Sequence, residues 1–239
     1  MAAPVMPPAA RRGRRVLPVA KAAGGDSTGS REGSAGSGEK ALARLASALQ
    51  RCRECPLGAC ATQAVAGEGP LRARLMLVGE QPGNDEDLQG RPFVGPAGRL
   101  LDRALDDLGW PRRRLFVTNA VKHFKYELRG KRRLHKTPAQ READACHHWL
   151  ADEIEIVQPA ALIALGATAA KALLGPRAAV LRDRGRWQVA EDGRKVIVTL
   201  HPSAILRAMR DDPAAYPRWI DDLKAASAFL WPGPATNTH

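Results

Sequence analysis

Four short apolar runs punctuate the chain, and each ends on a small or polar residue. They are Leu75-Met76-Leu77-Val78 before Gly79, Leu115-Phe116-Val117-Thr118 before Asn119, Ala161-Leu162-Ile163-Ala164-Leu165 before Gly166, and Val196-Ile197-Val198-Thr199-Leu200 before His201. Runs of this length without polar alternation predict strands buried on both faces. Between them, apolar residues recur at helical spacing over 97–109, 138–156 and 167–174, with a last helical stretch near 215–230. Strands alternating with helices predict an α/β fold: a three-layer sandwich with a central parallel sheet of about four strands flanked by helices. Ligands meet such sheets at the carboxyl ends of the strands. Here those ends read Gly79-Glu80-Gln81-Pro82-Gly83, Thr118-Asn119, Gly166-Ala167-Thr168 and His201-Pro202-Ser203. One Asn or Ser at such a position is ordinarily a turn cap; several along one edge point to a site.

Composition adds boundaries and a class of partner. Residues 1–38 are rich in Ala, Gly, Ser, Pro and Arg without apolar periodicity, and are expected to form a disordered basic tail. One folded domain is expected over 39–231, with a flexible C-terminus at 232–239. Lys and Arg number 37 against 25 Asp and Glu, a formal charge of +12 that favours polyanions, nucleic acid first. High Arg usage across a genome would give a similar figure. No apolar run approaches the roughly 20 residues of a membrane span. Arg11, Arg12, Arg14 and Arg15 precede no apolar stretch of the kind a secretory signal needs. The expected setting is the bacterial cytoplasm, with activity at the nucleoid and no membrane partner.

Cys52 and Cys55 form a chelating Cys-x-x-Cys pair, with Cys60 close behind and Cys146 far downstream. This placement suggests a metal or cluster site in a reducing compartment rather than disulfides. Zinc and an iron–sulfur cluster both suit it. Cys60 and His123 are both candidates for a fourth ligand, whereas His147 and His148 read as helix-surface residues. The run Gly130-Lys131-Arg132-Arg133-Leu134-His135-Lys136 is the densest basic segment of the ordered part, a loop leading to a helix start at Thr137-Pro138. Lys131, Arg132, Arg133 and Lys136 suit phosphate, or hold the loop itself. His135 is the one group among them able to act as nucleophile or base near neutral pH. Taken alone, such a run is ordinarily a solvated loop.

Several segments together resemble the family-four uracil-DNA glycosylases. They are Gly79-Glu80-Gln81-Pro82-Gly83, Gly90-Arg91-Pro92-Phe93-Val94-Gly95-Pro96-Ala97-Gly98, Thr118-Asn119-Ala120-Val121-Lys122 and His201-Pro202-Ser203, within a similarity spanning roughly 40–230. Two details are similar to the UdgX class, whose members stay covalently attached to DNA after removing uracil. Ordinary members are shorter where this chain has Lys131–Lys136, and usually carry a Cys where it has His123. The resemblance implies a [4Fe–4S] cluster held by Cys52, Cys55, His123 and Cys146, with Cys60 an extra thiol. It implies a monomeric base-excision-repair enzyme acting on uracil-containing DNA, single strands preferred. Asn84 departs from the Asp of some UdgX members.

The chemistry follows. Uracil in a duplex must be flipped out of the stack to be reached. Phe93, set among Gly and Pro residues, is expected to be an exposed platform that stacks on it. Asn119 offers a donor and an acceptor matching uracil O4 and N3–H, the opposite of what cytosine presents. Backbone amides between Gly79 and Gly83 would cradle the base. The resemblance implies that His201 donates to the departing base, with Ser203 and Arg207 at the DNA backbone or minor groove. It also implies that neutral His135 attacks the anomeric carbon where water attacks in ordinary members. Glu80 would orient or deprotonate His135, or stabilise the sugar cation, and Gln81 would shape access of water. Alternatives are a turnover glycosylase in which the basic loop only binds phosphate, and a non-catalytic or redox-sensing DNA-binding module. A dinucleotide enzyme is disfavoured, because Gly79–Gly83 lacks Gly-x-Gly-x-x-Gly spacing.

Overall fold

The computed structural model describes residues 31–230, with side chains from residue 36 onward. The expected tail up to residue 30 and the C-terminal segment 232–239 lie outside the described residues. The chain begins with α1 (Arg31–Leu49), α2 (Leu57–Cys60), β1 (Leu75–Gly79), α3 (Asn84–Gln89), α4 (Pro96–Asp107) and β2 (Leu115–Asn119). A hairpin of β3 (Tyr126–Arg129) and β4 (Arg132–His135) leads into α5 (Gln140–Val157), β5 (Ala161–Leu165), α6 (Ala167–Leu174), α7 (Val180–Asp183) and β6 (Trp187–Val189). The last elements are β7 (Lys195–Thr199), α8 (Pro202–Ala208), α9 (Ala215–Lys224) and α10 (Ser227–Leu230).

All four expected strands form, and a fifth joins them. The sheet order is β2-β1-β5-β7-β6, parallel throughout except for β6, which runs antiparallel to β7 at one edge. The three residues of β6 are too few and too exposed to carry a buried-strand pattern. Successive strand residues point to opposite faces, so the apolar runs supply two cores. Leu75, Leu77, Val117, Ile163 and Ile197 face α4, α8, α9 and α10, while Met76, Val78, Phe116, Leu162 and Val198 face α5 and α6, with Leu42 of α1 against them. Helical cover on both faces is why these strands tolerate no polar alternation.

Three expectations change. A helix occupies the chain from Arg31, inside the segment expected to be tail, because α1 lays Leu42 and Leu49 against the folded body. The stretch 215–230 divides into α9 and α10. The basic run is no loop: Lys131–Lys136 contributes the turn and second strand of a hairpin, with Tyr126 opposite His135 and Leu128 opposite Arg133. Gly130 turns it with φ +61, the left-handed conformation that glycine adopts without penalty.

The strand order reverses between β1 and β5, the point at which open α/β sheets bind ligands. Gly79 and Asn119 lie side by side there in register, and Thr168, just past β5, donates from Oγ1 to Glu80 Oε2 at 3.2 Å.

Candidate active site

Gly79, Asn119 and Phe93 meet so closely that no side chain fits between them. A Cβ at Gly79 would stand 2.4 Å from Asn119 Oδ1 and 2.5 Å from Phe93 Cζ. Phe93 is not the exposed platform expected of it. It is 5% exposed, part of the core beneath α4, and its backbone is held at φ +54. The ring therefore forms a rigid wall, with the His201 ring 6.0 Å away centroid to centroid. Among the described residues no hydrogen bond ends on the side-chain amide of Asn119, which leaves its donor and acceptor for a ligand.

Glu86 assembles the loops around this wall. One carboxylate oxygen accepts from Val94 N at 3.0 Å and Gly95 N at 2.8 Å, and the other from Gly83 N at 2.9 Å. The amide of Gly83 is thereby occupied and does not face the pocket as a free cradle. Glu86 has no distinguishing signal in the sequence, where it is the middle one of three consecutive acidic residues, Asp85, Glu86 and Asp87.

His201 follows β7, and its tautomer is fixed. Its Nδ1 lies 3.2 Å from Ser203 N, whose backbone N–H donates to it, and 2.9 Å from Ser203 Oγ. An Nδ1 that accepts leaves the proton of the neutral ring on Nε2. That Nε2 is buried without a protein partner. Burial, aided by the nearby His135 and Arg207, holds the His201 pKa at about 4, so the ring is neutral near pH 7. The group is an uncharged N–H donor aimed into the site. Ser203 sets the tautomer through its backbone N–H, a role the sequence did not assign to it. Arg207 is exposed one turn further along α8.

His135 lies across the site on β4, with its side chain about half exposed. Gln81 Oε1 accepts from Lys125 N at 3.0 Å, and Gln81 Nε2 donates to Lys136 O at 3.0 Å. These two bonds fix the orientation of the amide, so its N–H group faces His135 Nε2 at 2.9 Å. The lone pair of His135 is therefore on Nε2. Glu80 Oε1 is 3.6 Å from the same nitrogen, close enough for electrostatic stabilisation and beyond a hydrogen bond.

The basic residues divide. Arg133 points inward: it donates to Asp87 Oδ2 at 2.6 Å, Asn84 Oδ1 at 2.9 Å and Thr62 Oγ1 at 3.1 Å, and covers the rings of Phe124 and Tyr126. Asp87 is fully buried. Arg133 is the bolt of the hairpin, the loop-holding one of the two roles expected of it, and Asn84 is part of the socket. Lys136 pairs with Glu127 at 2.5 Å on the surface. Lys131 and Arg132 are exposed at the hairpin turn.

Cys52 and Cys146 are buried, Cys55 is partly buried and Cys60 is exposed. Burial, with the nearby Cys55 and Cys52 thiols, pushes the Cys146 thiol up to about 11, against a hydrogen bond from Lys122 N. His123 is buried beside them, and its Nδ1 has no partner. Among the described residues no three His, Cys, Asp or Glu side chains converge on a single metal ion. A four-iron cluster asks for something different, four side chains spaced apart on separate irons. The thiols of Cys52, Cys55 and Cys146 and the unpartnered Nδ1 of His123 have the donor chemistry such a cluster uses, and Cys60 is the exposed thiol of the set. His147 and His148 lie on the surface of α5, bound to Ala172 O and Glu54.

Residues 66–224 match the family model of the uracil DNA glycosylase superfamily. The chain belongs to that superfamily. It is 35% identical to a type-4 uracil-DNA glycosylase of Thermotoga maritima over 80% of this chain and 96% of that one. It is 40% identical to the type-4 enzyme of Pyrobaculum aerophilum over 70% of this chain and 85% of that one. A type-5 uracil-DNA glycosylase of the same organism is 31% identical over 57% of this chain and 64% of that one. The glycosylase match runs through every element of the site from Gly79 to His201. Among the described residues no helix is long and apolar enough to cross a membrane.

Proposed function

We propose that this glycosylase excises uracil from DNA and ends the reaction bonded to it through His135. The observation that carries the reading is the pairing of two imidazoles of opposite hydrogen-bonding polarity, one at the carboxyl edge of the sheet and one on the hairpin. His201 offers a buried, unpartnered Nε2–H, and His135 offers a lone pair on Nε2 beside Glu80.

The flipped uracil stands against Phe93, with Asn119 reading O4 and N3–H. A base of the wrong pattern leaves these groups unpaired at about 1–3 kcal/mol each. As the C1′–N1 bond breaks, its electron pair leaves with the base, and His201 Nε2–H stabilises the charge on uracil O2. The His135 lone pair then forms the bond to C1′, giving up the hydrogen bond from Gln81. The resulting positive charge on the imidazole is stabilised by Glu80 and relieved by loss of the Nδ1 proton to solvent. No later step releases the enzyme, so the product is an adduct at the abasic site. Lys131, Arg132 and Arg207 remain for phosphate contacts.

We further propose that Cys52, Cys55, His123 and Cys146 hold a [4Fe–4S] cluster. It supplies a structural tie between the segment after α1, the start of the hairpin and α5. Purified protein without iron would overturn this part.

The adduct is tested with a uracil-containing single strand on a denaturing gel. The wild type is expected to give a shifted protein–DNA band, and His135→Ala none. A free abasic strand from the wild type, with no shifted band, would establish a water-using turnover enzyme instead. Failure to release uracil under any condition would overturn both readings.

A further inference from the structure

Beneath the pocket lies a charge pair that excision does not use. Lys122 is fully buried, and all three of its ammonium protons have partners: Glu153 Oε2 at 2.6 Å, Thr118 Oγ1 at 2.7 Å and the backbone carbonyl of Asn119 at 2.8 Å. Glu153 is equally enclosed. Its Oε2 also accepts from Thr118 Oγ1 at 2.6 Å, and its Oε1 accepts from Gly67 N at 2.7 Å. The Lys122 backbone is held too, since its carbonyl accepts from Val65 N at 2.8 Å and its N–H donates to Cys146 Sγ at 3.4 Å.

Such a pair is a poor device for stability alone. Desolvating two ions offsets much of their attraction, and apolar replacements of similar volume are often neutral or stabilising. What an apolar pair cannot do is grip a carbonyl. Asn119 is the last residue of β2, where the parallel ladder ends, and Gly79 presses against its side chain at a separation that admits no Cβ. A small rotation of the Asn119 peptide would swing its amide off the base.

We infer that Lys122 is a positioning residue for base recognition. Its ammonium, anchored by Glu153 and Thr118, holds the Asn119 carbonyl and thereby fixes the angle at which the side-chain amide meets the pyrimidine edge. The inference rests on the proposed role of Asn119 as uracil reader.

The test compares Lys122→Met with Glu153→Gln in the full chain. Rates of uracil release are normalised to folded protein by thermal melting and iron content, and affinity is measured on a uracil-free strand. Lys122→Met removes the donor to Asn119, whereas Glu153→Gln weakens the anchor and keeps that donor. Lys122→Met is expected to slow release about 100-fold, the scale of an ångström-sized misplacement, with affinity for the uracil-free strand held. Glu153→Gln is expected to lose stability yet slow release at least ten-fold less, on the same argument. Equal slowing by the two variants, tracking their loss of stability, would reduce the pair to a structural one. So would wild-type release by folded Lys122→Met. Absence of uracil release by the wild type would instead remove the reading on which the inference stands.

Discussion

The two histidines of the site are held by opposite means. His201 sits at the end of a buried strand, with one nitrogen fixed by Ser203 and the other sealed without a partner. His135 sits on a two-stranded hairpin, about half exposed, and is held by polar contacts to Gln81 and by an arginine bolt two residues away. Burial makes the first a neutral donor. Access suits the second to the nucleophilic role proposed for it, because a nitrogen that must reach a sugar carbon cannot be sealed. In the proposed reaction the rigid sheet edge recognises and activates the base, and the bolted hairpin carries the bond-forming group.

The comparison is broken most forcefully at His201. His201→Ala is expected to slow uracil release about 100- to 1,000-fold, the scale for loss of one donor to developing charge. Adduct and free abasic product should fall together in a time course, whereas His135→Ala removes the adduct alone. If His201→Ala depressed the adduct and left release intact, the division of roles would be wrong.

Next in size is the bolt. Arg133→Leu leaves Asp87 buried and unpaired, and is expected to cost about 3 kcal/mol in denaturant unfolding. Adduct yield should fall further than uracil release if, as proposed, the hairpin carries the nucleophile and the sheet edge the reader. Equal losses would mean that the hairpin also shapes the base pocket.

Gly79→Ala probes the sheet edge. Its methyl group would collide with Asn119 and Phe93, so uracil release should be lost for about 2 kcal/mol of stability, the ordinary cost of overpacking. Retained release would show that the base lies elsewhere.

The most gradual effect is a pH dependence. Because the folded pKa of His201 is held at about 4, the unfolded chain binds the additional proton between its ordinary value of 6.5 and 4. The stabilisation from neutral His201 is whole above pH 6.5 and is lost as pH falls through that window, by at most about 1.4 kcal/mol per pH unit. Thermal melts of His201→Asn should lack this contribution. Identical slopes for variant and wild type would place the His201 pKa near its ordinary value.

Four strands, their parallel order and the helices between them were legible because continuous apolar runs have few other uses in a chain of this size. Glu80, Asn119, His135 and His201 were legible as polar endings to those runs or as the one titratable group in a basic one. Glu86, Asp87 and Glu153 were not. Glu86 and Asp87 read as ordinary acidic residues of a connecting segment and Glu153 as one of a helix, and the value of each comes from partners 9, 46 and 31 positions away in the chain.

The sequence by itself determined the α/β layering and the polar residues that end the strands, because apolar periodicity and residue type are local properties. Only the tertiary structure decided that Phe93 is a wall, that Arg133 faces inward, which nitrogen of each histidine is free, and that Lys122 holds Asn119. Those outcomes depend on desolvation and on hydrogen-bond partners brought together from distant segments, and these exist once the chain has packed.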